Sequence, residues 1–280
     1  MSKFRLKKTV LTLSYSLLAF FIYLSVSALF LNSAINKFGK DYYSRTKAYE
    51  KSEKQFISKN STVLREVSSR IAIDPTSLII PDIYLPSIKD GLAPAVRTLD
   101  TKQNVVFLGI DDGAYKNPKV IEIMKKNKIK ASLYLADRFI NDNYDFFKDM
   151  VPMGSKIENH TLHHRLLSQL TYDEQKKEIC GMADLEEKVY GKRPTLFRPP
   201  GGDYNTDTQK AAAACGMKAV VLWVAKANGG SMQYQGEHKL RKGDIVLMHF
   251  RPEFEQDMQA FVDAQNAAGL KTVLLENWVK

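Results

Sequence analysis

From Asn104 to the C-terminus, short apolar runs alternate with stretches of helical periodicity, and this constrains the fold of the 280-residue chain more than any other feature. Val105–Ile110, Ile129–Ala136, a run from Gly154 to Asn159, Leu196-Phe197, Lys218–Val224, Asp244–His249 and Lys271–Leu275 read as strands. Pro118–Asn127, Thr171–Tyr190, Thr206–Cys215 and Glu253–Ala268 read as helices between them. About seven βα units of this kind require a parallel sheet with right-handed crossovers, either closed as a barrel or doubly wound.

The region before this alternation is different in kind. Between Lys8 and Lys37 no residue is charged, and Val10–Leu31 is long and apolar enough to cross a bilayer as a helix. Lys3, Arg5, Lys7 and Lys8 precede it, so the positive-inside bias keeps the N-terminus in the cytoplasm and exports the rest. The small residues of Ser25-Val-Ser27-Ala28 also suit a cleaved signal peptide. Either reading places the folded part outside the cytoplasm, membrane-anchored in one case and secreted in the other. Residues 36–72 are polar and Lys-rich, with Val63, Leu64, Val67 and Ile71 at helical spacing, and read as a helical stalk. Pro75, Pro81, Pro86 and Pro94 then mark an extended segment wrapping the domain. The expected organisation is a basic tip and anchor over 1–35, a stalk and wrapping segment over 36–98, and a catalytic domain over 99–280.

Charge supports this division. The net charge is +10, and residues 1–60 hold eleven Lys or Arg against three Asp or Glu, so +8 of it lies there. A nearly neutral globular part argues against nucleic-acid binding, which needs its basic excess on the folded unit. The two cysteines, Cys180 and Cys215, are not in a metal-type pair. They fit either one disulfide between neighbouring helices or two buried thiols.

Active groups of parallel α/β folds collect at the C-terminal ends of strands, and six polar residues stand there: Asp111, Asp112, His160, His164, Arg198 and His249. His160 and His164 are four apart, so on a helical turn both rings would point one way and share a metal ion. A solvent-exposed or hydrogen-bonded loop pair is the plainer alternative, and it is the one adopted for His163. Asp111-Asp112 supplies a third ligand and a second carboxylate able to act as a base, where an ordinary strand-ending turn would explain the tripeptide with Gly113. Arg198-Pro-Pro-Gly-Gly fixes a cation that can hold a carboxylate through two hydrogen bonds, or is simply a turn with a surface arginine. His249 closes an apolar strand as packing residue or proton donor.

Together these residues resemble the polysaccharide deacetylase family of metal-dependent carbohydrate esterases. Over roughly residues 103–278, Gly-Ile-Asp111-Asp112-Gly113 is similar to the family's T-F-D-D-G motif and His160-Thr-Leu-His-His164 to H-[ST]-x-x-H. Arg198-Pro-Pro-Gly-Gly resembles R-x-P-[YF]-G, and Leu247-Met-His249 resembles L-x-H. The resemblance implies a distorted (β/α)7 barrel that removes acetyl groups, N- or O-linked, from peptidoglycan or related polysaccharide. It implies Asp111 as general base oriented by Arg198, His249 as general acid, and a divalent metal on Asp112, His160 and His164. Zinc suits such ligands, with cobalt, nickel and iron chemically acceptable. The backbone N–H of Gly201 would face the oxyanion. Gly201 stands where the family has Tyr or Phe, so a cleft wall is missing or is supplied elsewhere, with Tyr204 the candidate. Trp223-Val-Ala-Lys226-Ala-Asn228 matches the tryptophan of a further motif but has no carboxylate for His249. A glycan-binding protein on the same fold, without turnover, is the rival reading.

Overall fold

The computed structural model describes residues 79–280. The anchor expected over Val10–Leu31 and the stalk over 36–72 lie outside the described residues. Among those described, no helix is long and apolar enough to cross a membrane.

All seven expected strands are present and parallel: β2 (Val105–Asp112), β3 (Ser132–Leu135), β4 (Lys156–Asn159), β5 (Leu196–Phe197), β6 (Ala219–Val221), β9 (Ile245–His249) and β10 (Lys271–Val273). The four long helices match as well: α1 (Pro118–Asn127), α4 (Tyr172–Tyr190), α5 (Thr206–Ala214) and α6 (Phe254–Ala267), with two single-turn helices, α2 (Asp137–Ile140) and α3 (Asp145–Lys148), after β3. Local chemistry sets their ends. Asn117 caps α1 ahead of Pro118, and Thr171 with Glu174 closes a reciprocal capping box on α4.

Two features depart from the expected alternation. The wrapping segment contributes a short strand, β1 (Ala95–Val96), which pairs parallel with β6. The connection from β6 to β9 carries an antiparallel hairpin, β7 (Ala225–Asn228) and β8 (Ser231–Tyr234), where a regular barrel would have a helix.

The sheet runs β1-β6-β5-β4-β3-β2-β9-β7-β8, with β10 added on β2. Strands β6 and β7 lie six places apart in this order, roughly 29 Å in a flat sheet. Yet only Leu222, Trp223 and Val224 join them, a link that spans about 14 Å at most. The sheet must therefore curl until its ends approach, which gives a distorted, barrel-like sheet.

Period-two alternation then separates two apolar layers. Val106, Leu108 and Ile110 of β2 pack outward against Val120 and Met124 of α1 and Phe261 of α6. Val105 and Phe107 face inward with Tyr134, Val221, Ile245 and Trp278. The Phe107 and Trp278 rings meet edge to face at 5.1 Å, filling the interior below the functional residues. A third cluster lies under α4 and α5. There Cys180 of α4 and Cys215, just past α5, form a disulfide. Closing 35 residues this way stabilises the pair by about 3–4 kcal/mol on the chain-entropy account.

Candidate active site

The inward side of β2 sets the site. After Val105 and Phe107 come Gly109 and then Asp111, which is 2% exposed. Asp112 takes a left-handed φ of 76°, so the alternation breaks and two adjacent carboxylates line one cavity. From β5 the same inward period delivers Leu196 and then Arg198, which has no exposed surface. Its Nη1 donates to Asp111 Oδ1 at 2.7 Å, its Nε donates to the Val221 carbonyl, and the guanidinium lies 4.2 Å from the Tyr134 ring centre. The two-bonded clamp expected of this arginine is replaced by one bond, and Nη2 has no hydrogen-bond partner among the described residues.

Gly109 makes room for this. A Cβ there would stand 2.4 Å from Arg198 Nη1. A lone glycine within an apolar strand signals close approach of another group, but not which group approaches.

The histidines follow β4. Asn159 stitches the loop down by donating to the Ile179 carbonyl and accepting from the Thr161 N–H. His160 Nδ1 lies 2.6 Å from the Arg198 carbonyl. A carbonyl only accepts, so Nδ1 carries a proton, and Nε2 faces the carboxylates, a donor to them in the protonated ring and a lone-pair ligand in the neutral one. His160 Nε2 and His164 Nε2 lie 3.5 and 3.2 Å from Asp112 Oδ1. One ligating atom from each of Asp112, His160 and His164 falls within 4.8 Å of the others, so this set could hold a metal ion.

The backbone that brings the rings together is not the helical turn expected. Thr161 and His164 have φ of 72° and 54°, and the rings sit 5.0 Å apart at 68°. His163 turns away, its Nδ1 2.8 Å from Glu178 Oε1 on α4.

Electrostatics favours an ionised ligand. Burial opposes the charge on Asp112, but hydrogen bonding from His160 and then His164 outweighs it and holds the carboxyl far below its usual range. Burial likewise opposes protonation of His160, while Asp111 and then Asp112 raise its pKa overall. His249 pairs in register with Asp111 across β9 and β2. Burial lowers its pKa, with Asp111 and Asp112 pulling the other way. Among the described residues no carboxylate is hydrogen-bonded to its ring.

These groups surround a cavity of about 300 Å³ lined by Asp111, Asp112, His160, His164, Gly201, Trp223, Lys226, Asn228, Leu247, His249 and Arg251. Tyr204 is not among them; its ring packs on the cluster beneath α4 and α5. At Gly201, φ 64°, the space a side chain would enter is bounded by Leu166, whose 46% exposure leaves an apolar surface at that edge. Arg251 and Leu166 carry no motif signal, since a basic residue after a strand and a leucine in a loop are both common.

Residues 98–220 match the model of the polysaccharide deacetylase family. An uncharacterized protein of Streptomyces coelicolor is 40% identical over 159 residues, covering 56% of this chain and 64% of its own length. The peptidoglycan-N-acetylmuramic acid deacetylase PdaA of Bacillus subtilis is 28% identical over 162 residues, covering 54% of this chain and 61% of its own length. The chain thus spans less than two thirds of these relatives. A solved structure from Bacillus anthracis, described as a CE4 family pseudoenzyme, superposes with a TM-score of 0.58 at 21% identity. It covers 67% of this chain and 69% of its own. That likeness concerns the fold.

Proposed function

We propose that this chain, a member of the polysaccharide deacetylase family, hydrolyses acetyl groups from cell-wall or other extracellular polysaccharide with a divalent metal, zinc fitting best. The observation that carries the proposal is the buried Asp111–Arg198 pair placed beside the convergent Asp112, His160 and His164 on one open cavity. The metal would sit on Asp112, His160 and His164. Bound there, a divalent cation supplies positive charge that polarises an acetyl carbonyl and eases deprotonation of water.

The chain's own residues account for the proton transfers. Asp111, its carboxylate fixed by Arg198, takes the proton of the attacking water. His249 faces it from β9 and gives a proton to the departing sugar nitrogen or oxygen. The N–H of Gly201 faces the oxyanion. Extracytoplasmic action fits the Cys180–Cys215 disulfide, which persists in oxidising surroundings, and the peptidoglycan named for the Bacillus subtilis relative.

The test measures acetate released from acetylated glycans with and without added zinc or cobalt. Asp111→Ala is expected to lose roughly 10²–10⁴-fold in rate, the usual worth of a general base. Metal binding without acetate release, and no difference between Asp111→Ala and the parent, would sink the enzymatic reading. One observation favours the rival, a glycan-binding protein without turnover: among the described residues no carboxylate is hydrogen-bonded to His249. Sugar affinity retained in Asp111→Asn, with no turnover in the parent, would establish that rival.

A further inference from the structure

Where β7 and β9 line it, the cavity is cationic. Strands β7 and β9 run parallel with Ala225 beside Val246 and Lys226 beside Leu247. Alternation turns Ala225, Ala227, Val246 and Met248 into the apolar core, and leaves Lys226, Asn228, Leu247 and His249 on the cavity side. Arg251 joins them two residues past β9. Its Nη1 donates to Asn228 Oδ1 at 3.0 Å, which directs the Asn228 amide so that its NH2 group is the part left for another acceptor.

Neither Lys226, half-buried, nor Arg251 has an ion-pair partner among the described residues. The two cavity carboxylates are already engaged, Asp111 by Arg198 and Asp112 by the histidines. A half-buried ammonium without an anion is costly unless a ligand supplies one. Two cations and an amide donor on one wall match a carboxylate, which accepts through both oxygens.

We propose that Lys226, Asn228 and Arg251 form a subsite for a carboxylate carried on, or next to, the acetylated sugar, so that the chain selects acidic over neutral glycans. This rests on the deacetylase reading for the identity of the ligand as a glycan. Two sources share the chemistry: a carboxyl-bearing ether substituent, as in peptidoglycan, and a uronic acid.

The full chain is titrated by calorimetry, zinc-loaded, with a peptidoglycan tetrasaccharide, the same fragment with its carboxyl groups amidated, an acetylated glucuronoxylan oligosaccharide, and a neutral chitotetraose. Acetate release is followed on the same four. A carboxylate form should bind at least tenfold more tightly than its neutral counterpart, a difference of about 1.4 kcal/mol. Lys226→Gln and Arg251→Gln should each shrink that ratio severalfold, and Lys226→Glu should invert it. Thermal unfolding of each variant confirms that its fold is kept. Preference for the peptidoglycan fragment over the glucuronoxylan assigns the ether carboxylate, and the reverse assigns the uronate. Equal affinity for charged and amidated forms, or measurable binding of none, overturns the subsite. A charge preference without acetate release from any glycan leaves the subsite standing and removes the catalytic reading. Equal acetate release and affinity for charged and neutral glycans do the opposite.

Discussion

At Gly109 the site has no slack. A methyl group there would stand 2.4 Å from Nη1, 2.6 Å from Nη2 and 2.7 Å from Cζ of Arg198. That guanidinium is wholly buried, held at once by Asp111, the Val221 carbonyl and the Tyr134 ring. It is a planar, enclosed group with little freedom to swing aside. Gly109→Ala is therefore expected to lower unfolding stability by about 1–3 kcal/mol, the usual cost of overpacking a filled interior, and to lower kcat more than it raises KM, because Asp111 loses its fixed orientation. Denaturant unfolding and steady-state acetate release on the same variant check both parts. A stable variant with parental kcat would show that Arg198 tolerates displacement and does not orient Asp111. The chemistry-bearing residues here were legible in the sequence because carboxylates, imidazoles and a guanidinium at strand ends are residue types with few structural reasons to be there. Gly109 was not, since a missing side chain shows where something approaches but not what. The Asp112 backbone was also hidden: a strand normally sends neighbours to opposite faces, and only its φ of 76° puts both carboxylates into one cavity.

Among the elements, long helices and parallel strands were readable from periodicity, and α1 matches its expected bounds residue for residue. The β7–β8 hairpin was not, although its signal was present. Gly229 and Gly230 both have positive φ, 61° and 73°, as a two-residue turn between Asn228 and Ser231 requires. The mixed polarity of Ala225–Asn228 hid the strand leading into it. Helix α4 carries a subtler conflict. Its buried face runs Gln175, Glu178, Ile179, Met182, Ala183 and Glu186, a helical stripe in which three members are polar. Gln175 bonds to Leu170 and Thr208, and Glu178 to His163, whereas neither Glu186 oxygen has a hydrogen-bond partner among the described residues. Burial, and then the charge of Glu158, raise the Glu186 pKa well above the usual carboxylate range. With the folded pKa above the unfolded value of roughly 4.3, the folded state binds the proton more tightly. Its contribution is thus present below about pH 4.3 and is lost as pH rises toward the folded pKa. Glu186→Gln removes the titration and keeps the shape. Its stability relative to the parent should rise between pH 5 and pH 8, by at most about 1.4 kcal/mol per pH unit. Urea unfolding of both proteins across that range measures the gap, and parallel curves would mean that Glu186 ionises freely in the folded chain.

For the molecule as a whole, the question is whether the fold depends on the metal set or carries it. The alternation of strands and helices already implied a parallel sheet with its chemistry at one end, but not how the sheet closes, because closure depends on the three-residue link after β6 rather than on any pattern. That closure gives the ligands an independent mount. Asp112 ends β2, His160 follows β4, and the interior beneath them is filled by Phe107, Tyr134, Val221, Ile245 and Trp278. Structural metal sites that create a fold are usually closed and rich in cysteine. Here the three ligands open onto a cavity, and both cysteines are engaged elsewhere in a disulfide. The chelated protein is accordingly expected to stay folded and to unfold cooperatively. Added zinc at a hundred times its dissociation constant should stabilise the folded state by about 2.7 kcal/mol. For a domain of this size that corresponds to a rise in Tm of roughly 5–10 °C. His164→Ala should keep the unfolding temperature of the chelated parent and lose most of the zinc response, since it removes one ligand and leaves the interior intact. Thermal unfolding of parent and variant, each with chelator and with zinc, gives the four values required. Collapse of the parent on chelation would make the metal a structural element, and an identical zinc shift in His164→Ala would place the ion elsewhere.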